Sequence, residues 1–236
     1  MTRPRLALLI AAHEDAHTSR NFRRELDADL AEFHAADGQL PDTFDFDGAV
    51  ITGSRASVYW DEPWIEPLND WVAGAIDQGL PVLGVCYGHQ VLGHVLGGTV
   101  EPMDEYEIGY RTVKRDGSSK LLEGLDEEFT VFTTHSDAVV EAPPGADVFA
   151  SNDYGIHGFR KGRAFAVQFH PEYDMETAER VTRGKDLPED RLERVIDGIT
   201  SENYAAASEA KQLFDNFTDL VDEYRSASLT EANADD

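Results

Sequence analysis

The chain has 236 residues and carries 46 Asp and Glu against 20 Lys and Arg, a formal charge of −26. With 41% hydrophobic and 28% charged residues it has the make-up of an ordinary globular chain, long enough to bury a core without disulfides or a metal. The acid excess excludes nucleic-acid backbones and anionic membrane surfaces as partners, and a single cysteine, Cys86, excludes an internal disulfide or a cysteine-based zinc cluster.

Residues 6–12 (Leu-Ala-Leu-Leu-Ile-Ala-Ala) predict a buried strand, far short of the ~20 apolar residues that a membrane span needs. No signal-peptide pattern accompanies it, so a cytoplasmic location is expected. Phe22, Leu26 and Leu30 stand at helical spacing within 19–33, and 49–52 reads as a second buried strand. In 64–76, Trp64, Leu68, Trp71, Val72 and Ile76 share one helical face, with Gly79 at the stop. A third strand at 81–85 runs into a helix from Gly88, which carries Val91, Leu92 and Val95 and ends at Gly97-Gly98.

This alternation predicts an α/β fold with a mostly parallel central sheet and helices on both faces. The second half changes character. Short β-rich runs at 107–113, 129–134, 138–141, 146–151 and 164–169, separated by Gly, Pro and Asp, read as added β-hairpins. Helical patterns return at 176–183, 190–200 and 204–224. The expected organisation is an α/β domain over 1–185, a helical C-terminal extension over 186–226 packed on the same domain, and an acidic tail over 227–236.

The sharpest local feature is Gly84-Val85-Cys86-Tyr87-Gly88-His89-Gln90, where the third strand meets its helix. Small residues two before and two after Cys86 permit the tight turn of a nucleophile elbow. A cysteine there sits at a helix N-terminus, whose unpaired N–H groups and positive dipole end favour thiolate. Such a nucleophile needs a histidine and a group to orient it. His170 follows directly on an apolar strand in Phe169-His170-Pro171-Glu172, with Glu172 in reach of its ring. Sites in α/β sheets form at the carboxyl ends of strands, which lets Cys86 and His170 meet there.

Gly-Val-Cys-Tyr-Gly-His-Gln followed by Phe-His-Pro-Glu resembles the class I glutamine amidotransferases, the Cys-His-Glu glutaminase domains. Leu96-Gly97-Gly98-Thr99-Val100, Glu107-Ile108-Gly109-Tyr110 and Thr134-His135-Ser136-Asp137 agree with it. The likeness is strong over 48–172 and is greatest to free-standing, GMP-synthase-like members. It implies that Cys86 attacks the γ-carboxamide of glutamine, that His170 moves the proton and that Glu172 fixes its tautomer. It further implies an oxyanion hole from the backbone N–H groups of Gly53 and Tyr87, with Gln90, His135, Ser136 and Asp137 near the substrate's amino-acid end. L-glutamine or a γ-glutamyl compound is then the substrate, a separate synthetase is a possible partner, and neither cofactor nor metal is expected. One departure stands out. Gly53-Ser54-Arg55-Ala56-Ser57 replaces the Gly-Gly-Pro of many synthase-coupled members, and the bulky Arg55 bears on access.

Two other functions use the same residues: a γ-glutamyl peptidase or transferase working through the same thioester, and a non-catalytic regulatory subunit. Intact Cys86, His170 and Glu172 disfavour the latter. No phosphate-cradling Gly-rich loop with Lys occurs, so GMP synthesis would need another chain. Weaker motifs have plainer readings. His13-Glu14-Asp15-Ala16-His17 reads as a polar loop rather than a metal cluster, Asn216-Phe217-Thr218 as part of a helix, and Trp60, Trp64 and Trp71 as packing residues.

Only five of the basic residues are lysines, and acids are spread along the whole chain. That pattern reads as adaptation to a salt-rich cytoplasm, where screening over about 3 Å at 1 M salt makes self-repulsion tolerable, in preference to an ordinary acidic protein with a disordered acidic tail, which holds only a few of the 46 acids. The thermal unfolding midpoint is therefore expected to rise from low to multimolar KCl. A flat or falling midpoint would contradict the adaptation.

Overall fold

A computed structural model of the chain describes residues 2–13 and 16–232. Nine strands form one sheet: β1 (Arg5–Leu9), β2 (Asp29–Phe33), β3 (Gly48–Ile51), β4 (Val82–Val85), β5 (Thr99–Arg115), β6 (Glu128–Glu141), β7 (Asp147–Asn152), β8 (Gly155–Lys161) and β9 (Ala164–Val167). Their order is β2-β1-β3-β4-β9-β8-β7-β5-β6. The five strands from β2 to β9 are parallel, and the ladders beyond β9 are antiparallel. Helices α1 (Ala16–Glu25), α2 (Ile65–Asp77) and α3 (Tyr87–Val95) belong to the parallel half; α4 (Met175–Arg183), α5 (Glu189–Asp197), α6 (Ser201–Ser208) and α7 (Gln212–Ala232) follow β9.

Alternation along β1 divides the core in two, because successive side chains of a strand face opposite sides. Leu6, Leu8 and Ile10 join Phe22 of α1 and Leu213, Phe214, Phe217 and Val221 of α7. Ala7, Leu9 and Ala11 face the other way, onto Leu68 and Val72 of α2 and Val91 and Leu92 of α3. Both faces of the parallel half are thus covered, as its continuous apolar runs require. Phe22 meets Phe214 edge to face at 5.9 Å, and Phe217 meets Phe165 of β9 at 6.4 Å. The last helix is therefore built into the core.

The structure corrects four expectations of the sequence. Residues 19–33 are not one helix: α1 ends at Glu25, and Asp29–Phe33 pairs with β1 as an edge strand. Asp-Leu-Ala-Glu-Phe has weak strand propensity, and the hydrogen-bond ladder to β1 overrides it. Residues 129–134 and 138–141 are a single strand, β6, paired along its length with the long β5; β8 gives no strand signal in sequence because Gly-Ile-His-Gly-Phe-Arg-Lys lacks an apolar run. Residues 204–224 are α6, a 3₁₀ turn at Glu209–Lys211 and α7. Finally, 227–232, expected as the start of a tail, continue α7, while 233–236 lie outside the described residues.

Among the described residues no helix is long and apolar enough to cross a membrane. Phe217 is fully buried between α7 and the sheet. Phe217→Ala is expected to destabilise the chain by about 3–5 kcal/mol in urea unfolding, the cost of an unfilled aromatic cavity. A loss below about 1 kcal/mol would mean that α7 is not part of the cooperative core.

Candidate active site

The site lies at the carboxyl ends of β3, β4 and β9, beside the point where the chain order reverses across β1. Cys86 follows β4 and precedes α3, with φ 55° and ψ −99°. Among the described non-glycine residues it alone has positive φ. Two glycines make the turn possible. A β-carbon on Gly84 would lie 2.3 Å from the Gly88 carbonyl oxygen, and one on Gly88 would lie 2.4 Å from that of Ile51. The Cys86 N–H donates to the Val167 carbonyl at 2.8 Å, tying the elbow to β9.

His170 comes from the segment just past β9 and is 4% exposed. Its Nδ1 meets Glu172 Oε1 at 2.8 Å, its backbone N–H donates to Phe132, and its ring stacks on Tyr173 at 4.1 Å. The other nitrogen, Nε2, is buried toward Cys86, whose Sγ lies 3.9 Å from the Thr134 carbonyl. Gly53 sits between the two side chains: a β-carbon there would lie 2.9 Å from His170 Cε1 and 3.6 Å from Cys86 Cβ. Burial opposes a proton on His170, but the charges of Cys86 and Glu172 and hydrogen bonding to both outweigh it and lift the ring to about 10. Such a pair holds a proton at Nε2 beside the Cys86 sulfur, with the ring aimed by a carboxylate on Nδ1.

Helix α1 holds this segment in place. Arg24 donates to the Glu172 carbonyl at 2.6 Å and to Asp174 at 2.9 Å, Arg20 also reaches Asp174 at 2.8 Å, and Asn21 donates to Thr177 at 3.0 Å. Asp174 in turn caps α4 through the Thr177 N–H.

The remaining expected residues divide. Tyr87 opens α3, so its N–H lacks an intrahelical carbonyl, and Gly53 is placed as described. Cys86, Gln90, His135, Ser136 and Asp137 together line a cleft of about 160 Å³. His170, Glu172 and Gly53 line an adjoining cleft of about 530 Å³, walled by His13, Trp60, Trp64 and Tyr173. Gln90 donates to the Asp137 carbonyl and to Gln168. Asp137 accepts from Ser57 at 2.5 Å and from Tyr59 at 2.8 Å, so it braces the Gly53 loop. Of the loop motif at 13–17, His13 contacts Asp37 at 3.4 Å, and Glu14 and Asp15 lie outside the described residues. Trp64 and Trp71 pack in the core as expected, whereas Trp60 is half exposed at the cleft.

His135 lines the small cleft and is also held from within the protein. Its Nδ1 contacts the Asp137 carbonyl at 2.9 Å and its Nε2 contacts Glu107 at 2.5 Å, so both nitrogens are engaged inside the protein. Glu107 also lies 3.1 Å from His157 Nε2 and accepts from Asn152 at 2.7 Å. These three buried groups have the donor types of a metal site, with ligand atoms within 4.8 Å of one another. Their geometry is that of a charge network, because the carboxylate already serves both rings and the amide. Glu107 was visible in sequence only within a matching tetrapeptide; β5, β6 and β8 bring its partners together.

The fold and this site define a nucleophile-elbow α/β protein with a cysteine at the elbow and a buried His–Glu pair beside it. The chain belongs to the class-I glutamine amidotransferase family, whose model matches residues 17–184. The glutamine-hydrolyzing GMP synthase of Thermomicrobium roseum is 39% identical over 126 residues, covering 53% of this chain and 23% of its own length. That of Pyrobaculum aerophilum is 37% identical over 164 residues, covering 64% and 31%. The chain therefore spans only about a quarter to a third of these curated relatives. Among solved structures, a glutamine amidotransferase of Thermotoga maritima superposes with a TM-score of 0.76 at 20% identity, covering 92% of this chain and 99% of its own. One from Methylobacillus flagellatus gives 0.72 at 18%, covering 92% and 94%. These likenesses speak for the fold.

Burial would raise the Glu107 carboxyl, but hydrogen bonds and charges of His135 and His157 hold it well below its ordinary 4.5. Its stabilisation is complete above about pH 4.5 and is lost as pH falls below that value. Burial holds His89 and His157 below 6.5, so stability also drains as pH falls below 6.5. His170 acts oppositely: its contribution is complete below 6.5 and is lost as pH rises through about 10. The unfolding midpoint should thus fall from pH 7 toward pH 4. Glu107→Gln should cost about 3–5 kcal/mol at pH 7 and flatten the acid slope. An unchanged slope would remove Glu107 from the network.

Proposed function

We propose that this chain hydrolyses the γ-carboxamide of glutamine to glutamate and ammonia, and that the ammonia serves a synthetase on a separate chain. The observation that carries this is the Cys86–Gly53–His170 juxtaposition with Glu172 on Nδ1, in a member of an amidotransferase family. His170 Nε2 takes the Cys86 thiol proton as Sγ attacks the carboxamide carbon, and the C–N bond breaks as Nε2 passes that proton to the leaving ammonia. The tetrahedral oxygen is held by the N–H groups of Tyr87 and Gly53. His170 then takes a proton from water, which attacks the thioester carbon; glutamate leaves and the thiol is restored. Glu172 keeps Nδ1 protonated and stabilises the imidazolium without taking the proton itself.

A synthetase as the consumer of the ammonia is supported by the likeness to glutamine-hydrolyzing GMP synthases. A cytoplasmic, salt-adapted setting is supported by the −26 charge and the shortage of lysine. We take 1–185 as the glutaminase unit, with 186–226 packed on it.

A diazo-ketone analogue of glutamine is expected to add once per chain, at Cys86, and Cys86→Ala should release no ammonia. Labelling elsewhere, or full activity in Cys86→Ser, would overturn the assignment. Glu172→Gln is expected to lower ammonia release by roughly 10²–10⁴-fold, the usual range for positioned acid–base groups. It should retain single-turnover labelling of Cys86. Wild-type turnover in Glu172→Gln would leave His170 with a different orienting group.

A further inference from the structure

In a chain of charge −26, a basic side chain finds a carboxylate easily. Arg20, Arg24, Lys120, Lys211 and Arg225 all do so. Arg55 and Lys185 do not: among the described residues neither makes an ion pair or a hydrogen bond. Both nonetheless line the small cleft with Cys86 and the larger one with His170. The two cations are neighbours. The Arg55 Nη2 atom lies 3.0 Å from where a β-carbon on Gly184 would stand, and Lys185 Nζ stands 5.2 Å over the Tyr106 ring. Burial, against the opposing charge of Cys86 and with a smaller push from the Arg55 charge, brings the Lys185 ammonium down to about 8. Lys185 is half-buried, Arg55 is exposed at the cleft, and neither is neutralised by a carboxylate, so an anion entering the cleft meets two available cations. The opposite sign is present in the same lining: Asp137 and Asp186 share the small cleft with them. A cleft of about 160 Å³ with both signs at its rim and a nucleophile in its wall matches a zwitterionic amino acid with a reactive side-chain end.

We propose that Arg55 and Lys185 bind the α-carboxylate of the substrate and thereby select γ-carboxamides that carry one. This rests on the reading of the chain as a glutamine hydrolase and adds to it the residues that choose the substrate. Arg55 offers a planar fork suited to a carboxylate, and Lys185 adds a second point charge. The loop departure at Ser54-Arg55-Ala56 then has a purpose: it supplies a basic side chain that the Gly-Gly-Pro of many synthase-coupled members does not.

The test uses the whole chain. Hydrolysis of glutamine is compared with that of 4-aminobutanamide, which has the same carboxamide and amine but no α-carboxylate. Labelling by the diazo-ketone analogue, which carries the carboxylate, is compared with labelling by neutral iodoacetamide. Arg55→Gln with Lys185→Met should raise KM for glutamine about 100-fold or more, with a smaller change in kcat, as expected from two charge-assisted hydrogen bonds of about 1.5–3 kcal/mol each. The ratio of diazo-ketone to iodoacetamide labelling, in which thiol reactivity cancels, should collapse by a similar factor. Arg55→Lys alone should restore part of it. An unchanged ratio in the double variant, with wild-type labelling intact, would overturn this inference alone. A wild-type chain that neither hydrolyses glutamine nor takes the diazo-ketone would overturn the glutamine reading with it.

Discussion

Everything at the site depends on one close approach of backbone to backbone. The first turn of α3 lies so near β3 and β4 that a methyl group on Gly84 or Gly88 would collide with a carbonyl oxygen. This contact makes the chain reverse within one residue, and that residue, Cys86, takes the strained φ of 55°. Holding a non-glycine residue there costs on the order of 1–3 kcal/mol. The parallel ladders on either side of β4, to β3 and β9, offset that cost and fix the thiol at the sheet's carboxyl edge. The same ladders deliver Gly53 from β3 and His170 from β9 to its two flanks. A looser turn would separate all three.

Electrostatics organises the rest. Two arginines of α1 tie down the His170–Glu172 segment through Asp174 and a main-chain carbonyl, so an element from the far edge of the sheet sets the position of the imidazole. A second buried cluster, Glu107 with His135 and His157, braces the strand that carries Asp137, and Asp137 braces the Gly53 loop. Buried carboxylates are thus satisfied by histidines or arginines in both places. Glu172 Oε2 is the exception, buried without a partner beside the larger cleft. At the mouth the pattern inverts, and two cations stand without carboxylates.

Legibility from sequence followed locality. Cys86 was readable because its glycines lie within two residues of it, and His170 with Glu172 because they are two positions apart at the end of an apolar strand. The α/β class followed from alternating apolar runs, each buried on both faces. Edge strand β2 was not readable, since half-buried edge positions tolerate helix-forming residues and the decisive ladder to β1 is non-local. The local motif around His135 does not reveal Glu107, 28 residues away in sequence, which holds its ring. The Arg55–Lys185 pairing was invisible for the same reason: 130 positions separate two residues that share a cleft, and nothing in either neighbourhood marks them as lacking a counter-charge.

The central claim is that Cys86 carries a γ-glutamyl group during turnover. Wild-type protein mixed with glutamine, quenched in acid within the first turnover and digested, should yield one peptide bearing a γ-glutamyl adduct on Cys86. Mass spectrometry should find it, and hydroxylamine should remove it, as it does a thioester. Ammonia release with no adduct at any quench time, or with an adduct on another residue, would contradict the account.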